Sequence, residues 1–216
     1  MKVIIHRELF IILKLQILPA AQPPKSSLDQ GKQMLFILGV ENPKEIYLCT
    51  EDQFESYTNV TNQAITEVAE KSEVVTNVAV GDFVLVHSDE FFYRAYISEV
   101  VDATKVKVNQ IDLAIKDKEF LMTDIRKADP SLSKFPILAS KCCIESWITK
   151  SDKEVQEAGQ TLQDMMEIYE KVQVEVKETT EDFIKVSIPS IEERLNKSPQ
   201  KQKMSRADLL KAKLKK

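Results

Sequence analysis

The stretch that most constrains the fold runs from Gly81 to Ile125. There the hydrophobic period is two, and short turn signals interrupt it. Gly81 to Ser88 reads as a strand and Asp89-Glu90 as a turn. Phe91 to Val101 reads as a second strand, with Phe91, Tyr93, Ala95, Ile97 and Glu99 on one face. Asp102-Ala103-Thr104-Lys105 turns again, and then Val106, Val108 and Gln110 alternate with Lys107, Asn109 and Ile111. Ile115 to Leu121 and Thr123 to Ile125 are shorter strands. Strands this short and this closely spaced predict a small β-barrel.

The flanks read differently. Upstream, Met34 to Val40 and Glu45 to Cys49 are strands around the turn Glu41-Asn42-Pro43-Lys44. Thr50 and Gln53 then form a capping box, and Phe54, Tyr57, Val60, Ala64 and Val68 give one helical stripe. Downstream of Pro136 an apolar run, Ile144 to Ile148, precedes a second capping box at Ser151 and Glu154. Val155, Ala158, Leu162, Met165 and Tyr169 continue as a helical stripe. Lys171 to Lys177 and Phe183 to Ile188 alternate like a hairpin, Ser190 with Glu193 opens a short helix, and Ser205 with Asp208 opens a last one. About five strands with helices are the inventory of an oligonucleotide-binding (OB) type barrel. The expected fold is mainly β with α, one small barrel inserted into another and joined by connecting helices.

Composition narrows the chemistry. The 4 glycines form no phosphate-cradling loop, and the 2 histidines leave little for a His-based triad or zinc site. No metal and no cofactor is expected, and no catalytic residue. Acids such as Asp52, Glu55, Glu175, Glu178, Glu181 and Asp182 repeat no metal-ligand spacing. The 3 cysteines, Cys49, Cys142 and Cys143, have no framework spacing and read as reduced structural thiols. Arg7, Glu8 and Lys14 interrupt the apolar N-terminus, so neither a signal peptide nor a membrane span is expected. The net charge of −4 hides a basic tail. Residues 196–216 carry +7, which leaves −11 on the other 195 residues. An acidic body repels phosphate, and the tail attracts it with no interleaved aromatic.

The motifs carry a resemblance. Val80-Gly81-Asp82-Phe83-Val84 followed by Phe92-Tyr93-Arg94-Ala95 resembles the opening of a Tudor domain. Phe135-Pro136-Ile137-Leu138-Ala139 and Cys142 resemble the Pro, Ala and Cys of extended Tudor domains. In those, a Tudor β-barrel is inserted into a staphylococcal-nuclease-like (SN-like) fold. The resemblance covers roughly residues 34–188. It implies an N-terminal segment and linker at 1–30, the first half of the SN-like domain at 31–72 and the Tudor barrel at 73–128. The second half of the SN-like domain follows at 129–196, and the basic tail at 197–216.

The resemblance also implies a function. Such domains bind arginine-rich tails of Piwi-clade proteins in germ granules, usually with symmetrically dimethylated arginine inside a cage of about four rings. Here the cage positions fall on His87, Tyr93, Gln110 and Leu113, and the position of the family's Asn falls on Ile115. Only Asp112 survives from the family's Asp-Tyr-Gly-Asn segment, with Ala114 in place of Gly. Three lost rings weaken methylarginine binding on the order of a hundredfold. The expectation is therefore a non-catalytic interaction module of a piRNA-pathway adaptor in the cytoplasmic, perinuclear nuage. Its partner is a Piwi/Argonaute tail taken without a methylation requirement, and the state resembles that of a Krimper-like N-terminal Tudor domain. Phe91 extends the groove, while Asp89, Glu90 and Asp112 form an acidic rim. Arg94 is structural, an Arg fork suited to Asp112. Trp147 reads as a core plug. A structural or self-associating domain and an SN/OB-like RNA-binding module, with weak RNA contact through the tail, stay open as alternatives.

Overall fold

The computed structural model describes residues 22–197. The readings of the basic tail and of residues 1–21, including the helix at Ser205, lie outside them. Five strands close a barrel: β1 (Gly31–Asn42), β2 (Glu45–Cys49), β8 (Ser140–Ile144), β9 (Lys171–Thr179) and β10 (Ile184–Ser187). They neighbour one another in the order β1-β2-β8-β10-β9. All the pairings are antiparallel except β8 with β10. The barrel core is Leu35, Ile37, Ile46, Leu48, Cys142, Ile144, Val172, Val174, Val176, Ile184 and Val186. Leu162 and Met166 join the same cluster, and the partly buried Trp147 packs against it.

Between β2 and β8 the chain leaves to build a second antiparallel sheet. Its strands are β3 (Phe83–Ser88), β4 (Phe91–Val100), β5 (Lys105–Gln110), β6 (Ile115–Leu121) and β7 (Ile125–Lys127), ordered β6-β5-β4-β3-β7. Every strand supplies its inner face to one core: Val84 and Val86, Ala95 and Ile97, Val106 and Val108, Phe120, and Ile125. The last strand begins at Ile125 because Met122–Asp124 forms a 3-10 turn, so the expected strand at Thr123 starts two residues late. Gly81 opens the sheet at φ +92°, with its N–H donating to Ile97 O at 2.8 Å. Asp82 Oδ2 accepts from Ala79 N–H at 2.7 Å, which gives the Gly-Asp pair its turn-closing role.

Both capping boxes form, at Thr50 with Gln53 and at Ser151 with Glu154. The first helix, α1 (Glu51–Ser56), passes through a π turn at Tyr57–Thr61 into α2 (Asn62–Lys71). The Asn62 N–H reaches back five residues to Tyr57 O. That extra residue rotates everything after it, so Thr61, Ile65 and Ala69 are buried and Val60, expected in the apolar stripe, is 53% exposed. The turned face packs Ile65 and Ala69 against Leu85, Ala128 and Leu132 on the outer side of the second sheet.

The other long helix, α3 (Asp152–Met165), buries Val155, Gly159 and Leu162. A Cβ added at Gly159 would stand 2.9 Å from Glu41 O and 3.3 Å from Asn42 Cβ at the end of β1. Ala normally gains about 1 kcal/mol over Gly within a helix. Here the backbone contact reverses the sign, and Gly159→Ala is expected to destabilise by about 1–3 kcal/mol in urea unfolding. A gain of stability would show that the helix can move off β1. Tyr169, expected on the stripe of α3, lies beyond it at φ +69°, because the helix ends at Met165. A short helix, α4 (Pro189–Lys197), completes the described chain.

Candidate functional site

The seam between barrel and sheet is organised by Arg94, which leaves the outer face of β4 and is fully buried. Its Nε donates to Asp112 Oδ2 at 2.9 Å and its Nη2 to Asp112 Oδ1 at 2.6 Å. Nη1 donates to Leu132 O (2.9 Å) and Phe135 O (2.8 Å), and Nη2 also to Pro136 O (2.8 Å). The five donors of the guanidinium are thereby all used. Leu138 N–H adds a bond to Asp112 Oδ1 at 3.2 Å. This explains why the Tyr-Arg-Ala and Phe-Pro-Ile-Leu-Ala segments belong together: one carries the fork, and the other offers the carbonyls. It also corrects the acidic rim. Asp112 is 1% exposed and its carboxylate is taken by Arg94, so no ligand reaches it. Asp89 and Glu90 are exposed, with Asp89 in the left-handed region at φ +56°.

The cage-equivalent residues divide by face. Register sets Val86 opposite Tyr93, and Ala95 opposite Gln110, which in turn faces Ile115. Tyr93 packs partly buried on the inner core, so Tyr93, Gln110 and Ile115 share the mouth of the sheet. His87 is paired with Phe92 on the opposite face, its ring 4.8 Å from that of Phe92, and so does not join Tyr93. Leu113 is half-buried in the turn before β6, and its carbonyl lies against Gly39 of β1. Ala114 stands at φ +55°, a conformation suited to the family's Gly, and it packs against the seam cluster of Leu38, Tyr47, Cys49 and Leu138. Phe91 is exposed at the start of β4. Lys118 spans the mouth from β6, donating to Ser88 Oγ at 3.0 Å, and Ser88 Oγ donates to Asp89 Oδ2 at 3.3 Å.

Two tyrosines expected on helical stripes stand at the seam. Tyr169 is exposed, held by its N–H on Ile37 O at 2.7 Å, and its ring meets that of Phe54 edge-on with centroids 5.7 Å apart. Burial first, and then the charges of Tyr169 and Asp89, hold the Tyr93 phenol above its ordinary pKa. Tyr57, on the π turn, has a buried hydroxyl with no hydrogen-bond partner, and its pKa is raised by burial and by Asp112. A helical period counted through 57–61 or past Met165 finds both residues but not their place at the seam.

Among the described residues no cluster of His, Cys, Asp or Glu could hold a metal ion. Burial pushes the Cys49 thiol up to about 12 and raises Cys142 and Cys143 as well, so none is a ready nucleophile. No helix among the described residues is long and apolar enough to cross a membrane.

Comparison with known proteins gives this arrangement its class. The extended Tudor domain of human TDRD1, solved with a symmetrically dimethylated peptide, superposes with a TM-score of 0.61 at 14% identity, covering 77% of this chain and 84% of that one. The third extended Tudor domain of mouse TDRD1, solved with a MILI peptide containing dimethylarginine, gives 0.63 at 18%, covering 77% and 87%. A Tudor and Aubergine complex gives 0.56 at 20%, covering 76% and 98%. No protein of curated function matches the sequence. A closed barrel carrying an inserted five-stranded sheet is the extended Tudor, SN-like architecture. The Tudor domain family model matches residues 29–146, more than half of the sequence, and the chain belongs to that family.

Proposed function

We propose that this extended Tudor domain is a non-catalytic interaction module that takes an arginine-containing segment of a Piwi/Argonaute-family protein and does not require the arginine to be methylated. The observation that carries this reading is the composition of the sheet mouth. Tyr93 is the one ring there at a cage-equivalent position, His87 lies on the other face, and Gln110 and Ile115 stand where a ring and an Asn would be. A single Tyr face still attracts a guanidinium by about 0.5–2 kcal/mol, and Tyr169 offers a second from the barrel side. Asp89 and Glu90 supply negative charge at the rim. The solved neighbours bind dimethylarginine peptides, MILI and Aubergine among their partners, which supports the partner class. In this reading the domain serves a germ-granule adaptor of the piRNA pathway.

Titration calorimetry with a Piwi-clade tail peptide, unmodified and symmetrically dimethylated, is the test. The unmodified peptide is expected to bind at least as tightly as the modified one. Tenfold tighter binding of the dimethylated peptide would remove the reading.

A further inference from the structure

Gln110 is the polar side chain that the fold leaves unexplained. It ends β5 on the inner face, in line with the buried Val106 and Val108, and is 2% exposed. Both its Oε1 and its Nε2 lack a hydrogen-bond partner. Burying an amide without partners is costly, and an apolar side chain would avoid the cost. Its amide is closed to solvent, but what covers it is partly side chain at the rim of the sheet. Ile115, its partner on β6, is partly exposed, Tyr93 stands on its diagonal across β4, and Lys118 crosses the same mouth.

We propose that Gln110 is the specificity-determining residue of this site, reading an unmethylated guanidinium through its Oε1. This rests on the function proposed above and deepens it. An unmodified guanidinium carries five N–H donors in one plane, and symmetric dimethylation replaces two of them with methyl groups. A guanidinium that displaces the exposed Ile115 side chain and lies on the Tyr93 ring presents a terminal N–H to Oε1. Nε2, like Lys118 Nζ, is left to donate to a main-chain carbonyl of the same segment. The charge of Lys118 is offset at the rim through Ser88 and Asp89. A cage of rings rewards methyl groups by shedding water from the cation, whereas an amide floor penalises them by losing a donor and meeting bulk. The same sheet mouth thereby inverts the preference of a ringed one.

The variant Gln110→Leu separates this role from a structural one. Loss of an unpaired buried amide is expected to raise the melting temperature, so weaker binding cannot be blamed on unfolding. The probe is a Gly-Arg-Ala-Arg repeat peptide, unmodified or symmetrically dimethylated at each arginine, titrated into the full chain. The expected result is roughly a tenfold loss of affinity for the unmodified peptide, with the gap between the two forms closed. In the wild-type chain the side-chain amide resonances of Gln110 are expected to shift with the unmodified peptide and less with the modified one. Wild-type binding with the same preference in Gln110→Leu overturns this inference alone. Failure of the wild-type chain to bind either peptide overturns it together with the proposed function.

Discussion

Arg94→Met is expected to lower stability by about 3–5 kcal/mol, the cost of leaving a buried carboxylate without its cation. Asp112 would retain only the Leu138 N–H, and the carbonyls of Phe135 and Pro136 would lose their donor, while Leu132 O would keep the Phe135 N–H. A domain of this size holds about 5–15 kcal/mol in total, so a large share of its stability hangs on one side chain. Arg94→Lys is expected to recover little, because an ammonium has three donors and no fork to span Asp112 and three carbonyls. Arg94→Met combined with Asp112→Leu removes both charges and is expected to be more stable than Arg94→Met alone. Urea unfolding of the three variants measures this. A loss below about 1 kcal/mol for Arg94→Met would mean that water reaches the seam and solvates the carboxylate there.

The second large effect concerns binding. Tyr93→Ala is expected to cost roughly tenfold in affinity for the unmodified arginine peptide, and Tyr93→Ala with Tyr169→Ala on the order of a hundredfold. Tyr93→Phe keeps the ring face and is expected to bind nearly as the wild type. Tyr169 is exposed, so its removal should leave the melting temperature in place, while Tyr93 touches the inner core and needs a melting control. If the double variant binds as the parent does, the ligand does not lie in this seam, whatever it is.

How far the sequence could be read depended on what each pattern encodes. Alternation is a local property, and the strand from Glu45 to Cys49 and that from Ile115 to Leu121 lie where it put them. Capping boxes are local too, and both form. The π turn at 57–61 is not local information. One inserted residue changes no composition, yet it turns Val60 outward and Ile65 inward. Tyr169 continued an apolar period that the chain had already abandoned at Met166. Asp112 illustrates a different limit. A carboxylate beside an Arg-bearing strand suits either a solvent rim or a buried fork, and only the approach of the 132–138 segment decides between them. For the site, the sequence pointed to a depleted cage, but strand register was needed to part His87 from Tyr93.

The neck of the inserted sheet has a meaning for the outer barrel. Where the excursion leaves and returns, Val75 N–H meets Ile125 O at 3.3 Å, Lys127 N–H meets Glu73 O at 3.4 Å, and Val74 bridges Arg126. Once that neck is tied, the barrel no longer sees the whole intervening chain between β2 and β8. It sees a loop roughly half as long, and the entropic cost of joining its two halves falls by about 0.6 kcal/mol. The inserted sheet is in that sense a mild staple made of ordinary backbone, and a chain with 3 cysteines and no disulfide among them closes its barrel without a covalent one.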